Sequence, residues 1–234
     1  HVFGSQKGAI LMKNTKTMIL GAFAGSLMTT QAAVVSWGAV GSGIQSTDLI
    51  ETGSPYAAIN GGADPGLAFT IGTNAFTGGG FVGAAAGSVS NTTGTFYTPP
   101  TDNVNLDTIM DSHTYITGAN PNGVGVVAIP VTVGNAYDIQ FIGVGDSRGC
   151  CNTRAQFVDD GNGNTSGGLI RGTGDWVVGN FVADSELQQF FVAGGIDPGL
   201  SGLIVRDLGP AIPEPGSALL SLVGLLGLTA RRRR

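Results

Sequence analysis

Val131-Thr132-Val133-Gly134-Asn135-Ala136-Tyr137-Asp138-Ile139-Gln140-Phe141 is the stretch on which the fold turns. Tyr137, Ile139 and Phe141 alternate with Asp138 and Gln140, the two-residue period that sends one face of a strand inward and the other outward. Gly134-Asn135 supplies residue types that accept positive φ between two such runs. The segment is therefore expected to be a β-hairpin. Similar apolar, β-prone runs recur at 33–40, 67–71, 80–90, 94–97, 108–116, 123–133, 137–144, 154–158, 176–183, 187–193 and 203–208, with Gly, Asn, Asp or Pro between them. No long 3.6-residue periodicity interrupts the series. The expected class is all-β, an antiparallel β-sandwich or jelly roll.

Composition agrees with many turns and few ion-paired helices. Glycine contributes 40 of 234 residues, more than twice the usual ~7%, and charged residues are 12% where ~25% is ordinary. Disorder is disfavoured, because Val, Ile, Phe and Thr are interleaved with the glycines and a hydrophobic content of 42% can build a core. Asp-Pro-Gly-Leu occurs at residues 64–67 and again at 197–200, a repeated turn solution with type II chemistry at Pro-Gly.

Both ends of the chain read as addresses. Residues 1–11 precede the first methionine, Met12, and read as an upstream extension or a fragment end. Lys13 and Lys16 precede an apolar stretch from Met18 to Met28, and Thr30-Gln31-Ala32 before Ala33 is a small-x-small cleavage site. Residues 12–32 are thus expected to be a signal peptide, helical in its apolar part and cut between Ala32 and Ala33. This leaves 33–212 as one domain. At the other end, Pro213-Glu214-Pro215-Gly216-Ser217 is followed by thirteen almost wholly apolar residues, 218–230, and by Arg231-Arg232-Arg233-Arg234. As a helix that run reaches only ~20 Å, short of the ~30 Å hydrocarbon core. The arginines would hold its end at the cytoplasmic face, with the body of the protein outside.

Residues 213–234 resemble the PEP-CTERM sorting signal of exported bacterial proteins, in which Pro-Glu-Pro, a short hydrophobic helix and a basic tail occur in this order. The resemblance implies an exosortase-type membrane protease as a partner reading Pro213, Glu214 and Pro215. It also implies transient inner-membrane anchoring through the C-terminus and delivery to the cell surface or extracellular matrix. The alternative is a tail helix packed on the domain, which would be expected to show distinct polar and apolar faces. A second likeness covers about a dozen residues. The strand, Gly-containing turn and Tyr137 two residues into an alternating strand look like the galactose-binding-like jelly rolls of secreted carbohydrate-binding modules.

Without the two ends, residues 33–212 hold fifteen Asp and Glu against four arginines, Arg148, Arg154, Arg171 and Arg206, a net charge near −11. That balance argues against nucleic acid as a partner and suits solubility, cation binding or contact with neutral glycans.

The most unusual stretch runs from Asp146 to Asn164. Cys150 and Cys151, the two cysteines of the chain, are adjacent, and an exported protein meets an oxidising compartment. They could bridge each other, which calls for a distorted or cis peptide because adjacent Cα atoms lie only ~3.8 Å apart. Two thiols or an intermolecular link are the alternatives. Asp159 and Asp160, with Asn162 and Asn164, give alternate oxygen-bearing side chains like the opening of a calcium loop. Thr165 and Arg171 stand where an EF-hand needs Gly and Glu, so that motif is excluded. A different calcium site or an Asx-rich turn are both compatible with the residues.

Catalytic motifs are scarce. His113 is the single histidine after the signal segment, and Asp111 beside it could form an acid–base pair or merely share a strand face. No nucleophile elbow, paired-histidine zinc motif or phosphate loop occurs. The chain is expected to be a non-catalytic exported protein with a structural or exopolysaccharide-associated role. The alternative is a secreted glycan-active hydrolase, which needs two carboxylates facing each other across a groove.

Overall fold

The computed structural model describes residues 33–62, 64–81, 88–90 and 94–211. The expected signal segment up to Ala32 and the expected sorting motif Pro213-Glu214-Pro215 with its apolar run lie outside the described residues.

The described chain is mostly antiparallel β-sheet. In order, its elements are β1 (Ser36–Trp37), β2 (Ser54–Asn60), β3 (Phe69–Ile71), β4 (Asn74–Phe76), β5 (Ser88–Ser90), α1 (Val104–Met110), β6 (Thr114–Ile116) and β7 (Asn120–Pro130). There follow β8 (Asn135–Gly143), β9 (Ala155–Asp159), β10 (Leu169–Ile170), β11 (Trp176–Val182), β12 (Leu187–Gly194) and β13 (Gly199–Pro210), with single 3-10 turns at Ser46–Asp48 and Arg171–Thr173. A seven-stranded sheet has the order β1-β11-β8-β13-β6-β5, with β2 also on β13; a four-stranded sheet has the order β10-β9-β12-β7; β3 and β4 form a small ribbon. Among the described residues no helix is long and apolar enough to cross a membrane.

One hydrophobic cluster draws on both large sheets. From the larger come Tyr137, Ile139, Phe141, Val177, Phe181, Leu203 and Val205, and from the smaller Val127, Ile129, Val158, Phe190 and Val192. The alternation expected of β8 places Tyr137, Ile139 and Phe141 in this cluster. Phe190 meets Phe141 edge-on at 5.0 Å and Phe181 at 6.1 Å between ring centroids, the tilted geometry aromatic pairs favour. A second cluster uses residues of the opposite parity, Ile142 and Ile204, packed with Leu106, Ile109 and Met110 of α1 and with Ile71 and Phe76 of the ribbon. The larger sheet is therefore apolar on both faces where β8 and β13 run.

Five sequence expectations are corrected. Residues 131–141 are not a hairpin, because β7 pairs with β12 while β8 pairs with β11 and β13. The chain crosses here from one sheet to the other. Gly134 takes φ 87° and its N–H donates to the Ala183 carbonyl, while the Tyr137 hydroxyl accepts the Thr132 N–H at 2.9 Å and fixes the crossing. The alternating pattern identified the strand but not its partner.

The run 108–116 is not one strand. It holds the end of α1, with Leu106, Ile109 and Met110 buried at helical spacing and Asn103 capping the N-terminus by accepting the N–H groups of Asn105 and Leu106. The run 94–97 makes no strand, because the Phe96 and Tyr97 N–H groups donate to Asp111 Oδ1 at 2.9 and 2.7 Å instead of to a ladder. The run 33–40 pairs as a strand only at Ser36–Trp37. At Asp64-Pro65-Gly66 the turn is not type II. Gly66 is not at positive φ, and its N–H is held by Asp64 Oδ1 at 2.7 Å in an Asx turn.

Candidate functional site

The arginines of this acidic domain are not dispersed. Arg148, Arg154 and Arg171 line one concavity of about 330 Å³ together with Phe96, His113, Tyr115, Cys150, Cys151 and Asp197. The fourth, Arg206, is buried elsewhere and donates to the carbonyls of Glu51, Thr52 and Gly53 and to Asn74 Oδ1.

The pocket is assembled mostly from connections. After β8 the chain reaches Asp146, whose side chain is wholly buried and folds Arg148 back on itself: Oδ1 accepts the Arg148 N–H at 3.2 Å and its Nε–H at 2.9 Å, and Oδ2 accepts Nη2–H at 2.8 Å. The Arg148 guanidinium lies 4.6 Å over the Phe96 ring, a cation–π contact. Phe96 itself is held from two sides, since its carbonyl accepts the Ser147 N–H at 2.7 Å and its own N–H reaches Asp111. Asp111, the end cap of α1, is thus engaged in shaping the loop. Beyond Phe96 the rings of His113 and Tyr115 continue an aromatic wall, with centroid separations of 5.5 and 5.6 Å.

Arg171 sits in its 3-10 turn with a side chain 4% exposed, its Nη1 3.9 Å from Asp146 Oδ2 and its Nη2 donating to the Asp197 carbonyl. Its buried Nε–H has no acceptor among the described residues. Arg154 donates from Nη1 to Asp197 Oδ2 at 3.0 Å, and Asp197, at φ 48°, also accepts the Gly118 N–H on Oδ1 at 2.7 Å.

The charges leave the pocket positive. Burial works to raise the Asp146 carboxyl, but the hydrogen bonds and charge of Arg148, with the charge of Arg171, outweigh it and hold the group ionised below its usual range. Asp146 in turn raises Arg148, chiefly through their hydrogen bond. Burial, then the neighbouring Arg171 charge, pushes His113 down to about 4 against a partial opposing pull from Asp146, so its imidazole is neutral at pH 7. Three guanidiniums against the two carboxylates of Asp146 and Asp197 leave one positive charge in excess. Both carboxylates engage arginines. Guanidinium N–H groups gathered in this way can donate to an oxygen-rich ligand.

The residues singled out from sequence fall in two places. Cys150 and Cys151 are bonded to each other and lie in the pocket wall, in a turn closed by Cys151 N–H to the Arg148 carbonyl at 2.8 Å. No cis peptide occurs among the described residues. Asp159, Asp160, Asn162 and Asn164 lie in a different loop. Asp159 Oδ1 accepts the Gly161 and Gly163 N–H groups at 2.7 and 3.4 Å, and Asp160 Oδ1 accepts that of Asn162 at 2.9 Å. Asp160 Oδ2 accepts the Val35 N–H and the Asn164 amide. Among the described residues no group of three or more His, Cys, Asp or Glu is placed to hold a metal ion. Ala33 is buried, with its N–H on Gln188 Oε1 at 2.8 Å.

The arginine pocket itself was missed by sequence reasoning. A signal was present: three of the four arginines fall between residues 148 and 171 of a chain otherwise without basic residues from 33 to 212. Comparison with family models, with curated proteins and with solved structures finds no match to this chain, so its own residues carry the functional argument.

Proposed function

We propose that this chain is an exported bacterial surface or matrix protein whose body, a β-sandwich of jelly-roll type, associates with glycans and does no chemistry on them. The apolar cluster shared by the two large sheets supports the sandwich reading. The address rests on the order at the C-terminus: Pro213-Glu214-Pro215, an apolar run, and four arginines, as an exosortase-type protease would read them. Binding is carried by one observation, the pocket in which the aromatic side chains of Phe96, His113 and Tyr115 lie beside guanidiniums. Sugars are held by this combination, apolar ring faces on aromatic surfaces and hydroxyls on polar groups.

Glu214→Ala tests the address. In a host carrying the protease, the variant should fold normally but accumulate at full length in the membrane fraction. Processing of the variant at the wild-type rate would reject the sorting reading.

A further inference from the structure

The charge of the pocket narrows the ligand beyond glycans in general, and the inference rests on the glycan reading above. We propose that the Arg148–Arg154–Arg171 pocket takes a saccharide unit bearing a carboxylate, a uronate, presented as a short chain or a chain end.

The first support is the placement of charge. Residues 33–212 carry fifteen acidic side chains, four arginines and no lysine, yet three of those arginines meet in one concavity. Solubility does not require that: an acidic domain is already soluble, and cations serving it would be dispersed. Asp146 and Asp197 neutralise two of the three, and neutral His113 adds nothing, so the unmet charge matches a single anionic group.

The second is unspent donor capacity. Arg171 is almost fully buried, and its Nε–H finds no acceptor among the described residues. Arg148 uses Nε and Nη2 on Asp146, and Arg154 uses Nη1 on Asp197, which leaves Nη1 of the former and Nε and Nη2 of the latter without acceptors among the described residues. Several guanidinium N–H groups around one cavity suit a planar carboxylate, which accepts on two oxygens.

The third is size and surroundings. About 330 Å³ lies at the small end of ligand pockets, which span roughly 300–1,000 Å³. The wall of Phe96, His113 and Tyr115 offers apolar surface for a pyranose ring beside the charge. A long polyanion would be repelled by the rest of the domain, whereas attraction inside the pocket acts within the ~8 Å screening length of physiological salt. Hence the short chain or chain end.

Isothermal titration calorimetry on the protein recovered from its secreting host, with a short oligogalacturonate as probe, tests the proposal. A neutral oligogalactoside of equal length and inorganic phosphate are the comparison arms. The oligogalacturonate should bind at least tenfold more tightly than either. Arg154→Gln and, independently, Arg148→Gln, each checked by thermal melting to be folded, should weaken it at least tenfold. Equal binding of the neutral sugar, or no effect of either folded variant, would overturn the carboxylate inference and leave the glycan reading standing. Phosphate binding as tightly as the saccharide would reduce the pocket to a simple anion site and overturn it too. If no saccharide binds, both the inference and the glycan reading fail, while the sorting reading is decided separately by the Glu214→Ala fractionation.

Discussion

Asp160 Oδ2 accepts the backbone N–H of Val35 at 2.9 Å, across 125 positions of chain. Around this bond the Asn164 amide donates to the Val35 carbonyl, and Gln188 exchanges hydrogen bonds with both backbone groups of Ala33. The 159–164 loop is therefore a socket for the first residues of the domain. Asp160→Ala should leave the buried Val35 N–H unmet and cost about 2 kcal/mol. Urea unfolding measures it; a loss below about 0.5 kcal/mol would show that the segment finds other partners.

Calcium is decided at the same loop. A cation bound there would have to compete with N–H donors for Asp159 Oδ1 and for both carboxylate oxygens of Asp160. The expected outcome is a melting temperature that millimolar calcium leaves unchanged. A rise on adding calcium, reversed by a chelator, would establish a site using Asp159 or Asp160.

His113 should make the domain acid-sensitive in a defined window. Its folded pKa is about 4 against an ordinary 6.5, so between these values the unfolded chain binds a proton that the folded chain does not. Stability then rises with pH across the window, and as pH falls from 6.5 to 4 the domain loses on the order of 3 kcal/mol. Asp146 is depressed below its usual range, so its contribution is lost only under still more acid conditions. Chemical denaturation at successive pH values should show this slope, and His113→Gln should flatten it. An unchanged slope in the variant would assign the effect to another group.

The Cys150–Cys151 bond predicts a monomer lighter by two hydrogens than its reduced form and resistant to alkylation until a reductant is added. Intact mass decides it. Two alkylated thiols without reductant, or a covalent dimer, would reject the bridge.

Residues 213–234 should contribute nothing to the melting temperature of the body, because the last described strand, β13, ends at Pro210 and already has partners along both edges. Chains with and without that segment should melt within about 1 °C of each other. A marked fall on truncation would indicate a tail packed on the domain, with apolar surface exposed by its removal.

How much of this was legible is clearest strand by strand. β11 and β12 were readable because Val177 and Phe181, or Phe190 and Val192, alternate with more exposed neighbours, and a two-residue period survives whatever the partner strand. β2 was not, since Ser54-Pro55-Tyr56-Ala57-Ala58-Ile59-Asn60 has little intrinsic strand preference and is ordered by the edge of β13 from Asp207 to Gly202. Two segments were misread because side chains took over backbone bonding: Asp111 captured residues 96–97, and Asn103 capped a helix that runs into the apparent strand 108–116. The pocket was hidden for another reason. Its charges are close in sequence only between 148 and 171, while Phe96, His113 and Asp197 reach it from three separate connections.

The position of β13 bears on how the molecule resists force. It is twelve residues long, flanked along one edge by β8 and along the other by β6 and β2 in succession, and its end leads directly to the C-terminal segment. A tether attached beyond Pro210 and pulled along the axis of this strand would load it in shear. Its ladder bonds to both neighbours would then share the load at once, as rivets in a lap joint do, instead of parting one after another like the teeth of a zip. A domain held to a surface by this end meets drag through the longest of its described strands.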